Sequence, residues 1–305
     1  MKLPDPTDVP MLLALDVARR AGLRVESARA IPSTGIINTC ISLDDRFVLR
    51  VPRNHPAHVE QTEAEAQAIP LAVAAGVRTP RLLAYDDSRT QLPVPFLITE
   101  FVTGNDIERT RRDPASIPST WRALGRDLAL LHSVIDVVEW PRVAPPPSHD
   151  VDALLARRVD DGWISYVEAG WIGRWLERLD VGWGEPRATH GDVQMSNVLV
   201  DDAGDYAALL DWGCAAIKDP VADFMPMPSV AAPQLLAGHR EVAALPSDDT
   251  AEARIVRGRL LTLLEVMPRG AAPGMTWGER PSAWMADMLA FFANPPSDAW
   301  RAVGP

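Results

Sequence analysis

The sequence predicts an α+β chain in two lobes, a small antiparallel β-sheet with one main helix followed by a larger, mostly helical part. Three observations predict it. Within the first hundred residues, segments of strand and helix character run in the order strand, strand, helix, strand, strand. Beyond Gly104 apolar residues recur at helical spacing, as at Leu124, Leu128 and Leu131. A single β segment at 189–211 then interrupts that helical part. The predicted lobes are residues 1–103 and 104–305.

Taken in order, DVPMLLALDVARRAGL (8–23) has helical apolar spacing and stops at Gly22. Residues 29–53 read as a two-stranded hairpin, with Ile36 and Cys40 on one strand, Val48, Leu49 and Val51 on the other, and Asp44-Asp45 as the turn. The Glu- and Ala-rich segment 58–76 is a helix that Pro70 should kink and Gly76 should end. RLLAYD (81–86) and PFLITEFV (95–102) complete the sheet. In the second lobe, 119–135 is an amphipathic helix with Ser119 as its expected N-cap. A Pro-rich connection (143–150) leads to a helical stretch from Val151 to Leu179, dense in Trp and Arg.

Composition narrows the function. A chain of 305 residues can bury a full core, and its two cysteines, Cys40 and Cys214, are too few for a disulfide framework. No apolar run is long enough to span a bilayer and the N-terminus lacks signal-peptide character, so the expected compartment is the cytoplasm, with no membrane association. The net charge of −11 argues against a nucleic-acid partner and suits a cationic small molecule. Nothing in the sequence calls for an obligate protein partner.

The segment ATHGDVQMSNVLVDDAGDYAALLDWG (188–213) carries the strongest chemical signal. VLV and AALL flank an Asp-Ala-Gly-Asp turn, so a hairpin sets Asn197 at its entry beside Asp211 at its exit. An amide oxygen and a carboxylate brought to one point suit Mg²⁺, which takes a few protein oxygens and keeps phosphates and water. Asp192, one loop earlier, is placed to accept a proton from an attacking hydroxyl.

His190-Gly191-Asp192, Asn197, Leu210-Asp211-Trp212, Asp219-Pro220 and Asp223 together resemble the aminoglycoside phosphotransferase family, which also includes macrolide kinases and metabolite kinases. The resemblance runs from about residue 30 to about residue 230. It implies a protein-kinase-like fold, ATP or GTP as phosphate donor, Mg²⁺ on Asn197 and Asp211, and Asp192 as the catalytic base. It places Ser33, Thr34, Gly35 and Asn38 in a phosphate-covering loop and Arg50 at the phosphate-contacting cation position, where many members have Lys. Glu65 matches the ion-pair partner of that cation, with Glu63 as an alternative. The main chain of Thr99 and Phe101 would meet the purine edge, with Ile98 behind the base. His190, His132 and Asp223 read as structural supports of the catalytic loop. The acceptor region offers Asp150, Asp152, Asp160, Asp161 and Glu168 among Trp163, Tyr166, Trp171 and Trp175. Three readings stay open on sequence: an antibiotic kinase conferring resistance, a kinase of an ordinary metabolite such as an amino alcohol or a sugar, and a catalytically silent nucleotide-binding protein.

Overall fold

The structure is a computed structural model and describes residues 5–32, 37–133, 139–145, 148–268 and 281–305. Helix α1 (Met11–Arg20) packs on a five-stranded sheet of β1 (Ala28–Ala30), β2 (Asn38–Leu43), β3 (Phe47–Pro52), β4 (Leu82–Asp86) and β5 (Phe96–Glu100). Their spatial order is β1-β2-β3-β5-β4, and every pairing is antiparallel. The sequence predicts a two-stranded hairpin over 29–53, and the structure adds β1 as a separate edge strand. Pro32, which has no N–H for a ladder, lies just beyond it. The turn between β2 and β3 falls on Asp44 and Asp45, both with positive φ, 53° and 52°. That conformation matches the twist of the flanking strands. The Asp44 carboxylate also accepts from the main-chain N–H groups of Glu26 and Ser27, which ties the start of β1 to the turn.

Helix α2 (Pro56–Ala74) runs unbroken through Pro70 to Ala74. Its Ala68, Ile69 and Ala72 belong not to the sheet's core but to the larger core of the second lobe. The smaller core gathers Ala14, Val17, Ile41, Leu49, Val51 and Ile98, between α1 and the sheet. The helix that follows the third strand is therefore anchored in the helical lobe, and one turn before Ile69 it presents Glu65 at the junction.

The chain then passes through β6 (Asn105–Asp106) and α3 (Ile107–Thr110) into α4 (Pro118–His132). Ser119 is inside α4 and does not cap it, because Pro118, with its φ preset for the first helical position, starts the helix a residue earlier. The expected helical stretch 151–179 is two helices, α5 (Val151–Asp160) and α6 (Tyr166–Arg178). A positive-φ Gly162 separates them, and a capping box formed by Ser165 and Glu168 opens α6. Strands β7 (Arg187–Thr189), β8 (Val198–Val200), β9 (Tyr206–Leu209) and β10 (Ala216–Lys218) follow, then α7 (Ala232–Arg240), α8 (Ala251–Val266), α9 (Pro281–Ala293) and α10 (Asp298–Ala302). β8 pairs with β9 and with β6, and β10 pairs with β7.

Helices α4 and α7 cross at van der Waals contact through Gly125 and Gly238. A Cβ on Gly125 would sit 2.1 Å from the Leu235 carbonyl oxygen, and one on Gly238 would sit 2.1 Å from that of Arg122. This close crossing brings His132, at the end of α4, against His239 of α7.

Candidate active site

The site is assembled where β7 ends. His190-Gly191-Asp192 follow it directly, and two buried networks hold them. Asp223, fully buried, accepts from the main-chain N–H of His190 at 2.9 Å and of Gly191 at 2.7 Å. The same carboxylate takes His132 Nε2 at 3.0 Å; His132 Nδ1 lies 3.0 Å from His239 Nε2, and His239 Nδ1 lies 2.8 Å from the Ala243 carbonyl oxygen. A carbonyl only accepts, so three hydrogen bonds across two rings require three ring N–H groups, one more than two neutral imidazoles carry. The relay thus closes with one shared proton, balanced by Asp223. Burial, then the charge of His132, pushes His239 down to about 3. Burial alone would raise Asp223, but the hydrogen bond and charge of His132 outweigh it and hold the carboxyl below its ordinary value.

Gly191 adopts φ +83°, and a Cβ there would lie 2.2 Å from the Cys214 carbonyl oxygen, so the loop admits no side chain at this position. His190 clasps the loop from the other side. Its Nε2–H donates to the Leu210 carbonyl at 2.9 Å, and its Nδ1 accepts from Asp192 N–H at 3.2 Å. Both bonds suit a neutral ring, and burial lowers its pKa accordingly. His190 thereby fixes Asp192 relative to Asp211, the residue after Leu210.

Asp192 itself is held by two amides. Asn197 Nδ2 donates to its carboxylate Oδ2 at 3.1 Å and to its main-chain oxygen at 2.9 Å, and Gln194 Nε2 donates to the same Oδ2 at 3.0 Å. Loading both donors on one oxygen leaves Oδ1 to accept from elsewhere. Burial, then the charge of Asp211, pushes Asp192 up to about 6 against those two hydrogen bonds. Gln194 was not singled out from the sequence; its signal there is its place two residues after Asp192.

The hairpin sets the main chain of Asn197 beside Leu210, the residue before Asp211. Val198 pairs with Leu209, and Leu210 N–H donates to the Asn197 carbonyl at 2.8 Å. Asp211 turns out of β9 in the left-handed region, φ 69°, and its Oδ1 lies 3.2 Å from Arg50 Nη2. Arg50, on β3, bonds Glu65 Oε1 through Nη1 at 2.6 Å. The sheet, α2 and the hairpin therefore converge in one Glu65–Arg50–Asp211 chain. Burial raises Glu65 above the ordinary carboxylate range, with Arg50 pulling the other way and Asp211 adding to the rise. Burial disfavours the charged Arg50 guanidinium, yet the two carboxylates outweigh it and raise its pKa. Among the described residues no cluster of three or more His, Cys, Asp or Glu side chains forms a metal site. The donor set expected for Mg²⁺, the Asn197 amide oxygen and the Asp211 carboxylate, is of the kind that ion takes, with phosphate and water to complete its shell.

The other expected residues divide. Ser33, Thr34 and Gly35 lie outside the described residues. Asn38 opens β2 opposite Pro52, and its Oδ1 is buried with no hydrogen-bond partner among the described residues. Arg109 of α3 donates to the Pro32 carbonyl at 2.8 Å and so ties the start of this loop to the second lobe. Thr99 and Phe101, the positions expected at the purine edge, sit within and just past the paired part of the sheet. Thr99 is flanked on both sides, by Val48 and by Leu82, and the Phe101 N–H is spent on the Arg46 carbonyl at 2.8 Å. The sheet extends one bond past β5 and uses the donor assigned to a base. Of the acceptor-region residues, Asp150 caps α5, Glu168 belongs to the capping box, and Trp171 and Trp175 pack together at 5.5 Å. Asp161 pairs with Arg158, while Trp163 and Tyr166 remain exposed.

The fold and this site define a kinase-like phosphotransferase. The profile of the phosphotransferase enzyme family matches residues 31–255, and the chain belongs to that family. It is similar to solved structures of the same fold. One is the GDP complex of wild-type aminoglycoside 2'-phosphotransferase-IIIa, with TM-score 0.63 and 18% identity over 92% of this chain and 98% of that one. Another is the apoenzyme of macrolide 2'-phosphotransferase MphH from Brachybacterium faecium, with TM-score 0.62 and 22% identity over 93% and 99%. It is also 27% identical over 257 residues to the uncharacterised protein YcbJ of Bacillus subtilis (strain 168), covering 75% of this chain and 77% of that protein. Among the described residues no helix is long and apolar enough to cross a membrane.

Proposed function

We propose that this chain is a cytoplasmic kinase that transfers the γ-phosphate of ATP or GTP to a hydroxyl of a small-molecule antibiotic of the aminoglycoside or macrolide type. The observation that carries the reading is Asp192. It is a half-buried carboxylate pushed up to about 6, with Oδ2 pinned by two amides and Oδ1 left to accept, fixed through His190 to the Asp211 segment. In this reading Asp192 Oδ1 orients the acceptor hydroxyl for in-line attack and takes its proton late. Arg50 steadies phosphate oxygens from the sheet side, with Asn38 contributing from the start of β2. Asn197 and Asp211 would hold Mg²⁺, which when bound neutralises charge on the phosphates. Most of the rate enhancement then comes from positioning and charge, so each part must be in register with the others.

The donor assignment draws support from relatives of the same fold solved with GDP and kanamycin and with streptomycin and ATP. The acceptor class rests on the family and on those relatives. A cationic acceptor fits the net charge of −11 and the exposed Asp152, Asp160, Trp163 and Tyr166 of the α5–α6 region. The test is nucleotide consumption with Mg²⁺ against aminoglycosides, macrolides and amino alcohols, with ATP and GTP in parallel. One antibiotic class should turn over, and Asp192→Ala should lower kcat by about 10²–10⁴-fold. Turnover of an amino alcohol alone would move the protein to metabolite phosphorylation. Undiminished turnover in Asp192→Ala would remove Asp192 as the base.

A further inference from the structure

Arg50 is held firmly on one side and loosely on the other. Its Nη1 bonds Glu65, which is 2% exposed and sits on a helix anchored in the larger core. Its Nη2 reaches Asp211 at the longer distance of 3.2 Å, and the Asp211 side chain is one-third exposed. Its Nε is buried and makes no hydrogen bond among the described residues. The guanidinium thus has one fixed bond, one exchangeable bond and one unspent donor.

A carboxylate oxygen facing a guanidinium cannot take a divalent cation in the same direction, because the two positive charges would be in contact. Triphosphate oxygens, by contrast, offer what Arg50 lacks: acceptors for Nη2 and for the unspent Nε together, in the forked geometry guanidinium prefers. The geometry points to Arg50 as the residue that makes metal binding at Asp211 conditional on the nucleotide. Without nucleotide the guanidinium is the counter-ion of Asp211; with it, Nη2 and Nε pass to the phosphates while Nη1 stays on Glu65, and Asp211 is released. This inference rests on the proposed phosphotransfer, which assigns Asp211 to the metal. It also gives a physical role to arginine at a position where lysine would serve as a cation. A lysine is a single point charge and cannot hold Glu65 and Asp211 through separate nitrogens.

The variant that isolates this is Arg50→Lys, which keeps the charge and the Glu65 partner but gives up the fork. Mn²⁺ binding to the full-length protein without nucleotide, read by electron paramagnetic resonance of the free ion, should be about two- to fivefold tighter in Arg50→Lys than in wild type, the scale of one partly exposed ion pair. Calorimetric binding of the Mg²⁺ complexes of non-hydrolysable ATP and GTP analogues to both proteins reports on the nucleotide reading independently. Tighter Mn²⁺ binding by the variant, with an analogue bound by both, supports the inference. Equal, weaker or undetectable Mn²⁺ binding by the variant, with an analogue still bound, overturns it and leaves the phosphotransferase reading standing. Failure of both proteins to bind either analogue overturns the proposed function and this inference with it.

Discussion

The two polar assemblies of the candidate site are built on opposite plans. The Asp223–His132–His239 relay lies wholly inside the helical lobe, and its carboxylate and both rings are matched by hydrogen bonds. The Glu65–Arg50–Asp211 chain spans the junction of sheet, helix and hairpin, leaves the guanidinium Nε without a hydrogen bond among the described residues, and ends on a part-exposed carboxylate. A buried network with every partner supplied is costly to disturb and so holds one geometry. A charge chain with an unspent donor and an exposed end can change partners at low cost. The first suits a loop that must hold a base in place, and the second suits contacts that change when ligand arrives.

This contrast can be broken most severely at Asp223. Asp223→Ala strips the acceptor from two main-chain N–H groups and leaves His132 Nε2 buried without its carboxylate partner. Urea unfolding should show a loss of about 3–5 kcal/mol. A loss below about 1 kcal/mol would mean the relay does not hold the loop. Gly191→Ala comes next, since its methyl group would meet the Cys214 carbonyl at 2.2 Å and a positive φ disfavours alanine. It should cost about 2–3 kcal/mol in the same measurement and lower turnover by displacing Asp192.

Acid sensitivity sharpens the comparison further. Asp223 is held below its ordinary value, so its stabilising contribution is complete above about pH 4 and is lost as pH falls through its folded value. His239, lowered to about 3, refuses in the folded state a proton that the unfolded chain takes below about pH 6.5. Both effects remove stability on acidification, and the His239 contribution begins first. His239→Gln should therefore be less stable than wild type at pH 7 yet lose less between pH 7 and pH 5. Thermal melts at the two pH values give the comparison, and an unchanged loss would show that His239 does not titrate on unfolding. The smallest effect is expected from Glu65→Gln, where Arg50 keeps Asp211 as a partner. Stability should fall by about 1 kcal/mol, while the Mg²⁺–nucleotide complex binds several-fold more weakly as Arg50 loses its fixed anchor. A loss matching that of Asp223→Ala would erase the difference between the two assemblies.

How much was legible in the sequence follows the distance over which each feature is decided. The β2–β3 turn, the hairpin carrying Asn197 and Asp211, and the His190-Gly191-Asp192 loop are all set within about twenty residues. There turn chemistry and strand alternation act directly, and the entropy of closing a short loop is small. The acceptor region was less legible because Asp and Glu serve equally as helix caps and as ligands. Asp150 and Glu168 are caps, and only their N-terminal positions in α5 and α6 reveal it. Gln194 escaped notice because an amide side chain in a loop carries no charge pattern of its own.

The sequence by itself determined the α+β order of elements, the family, and the local geometry that sets Asn197 beside Asp211. Tertiary structure alone decided that Arg50 would bridge Glu65 and Asp211, that His132 would meet His239 across 107 positions, and that the Phe101 N–H would be consumed by Arg46. The first group depends on backbone preferences and hydrogen bonds between near neighbours, which residue types encode directly. The second depends on where packed helices and strands come to rest, as at the glycine crossing of α4 and α7, and that is fixed by the sum of side-chain volumes across the core.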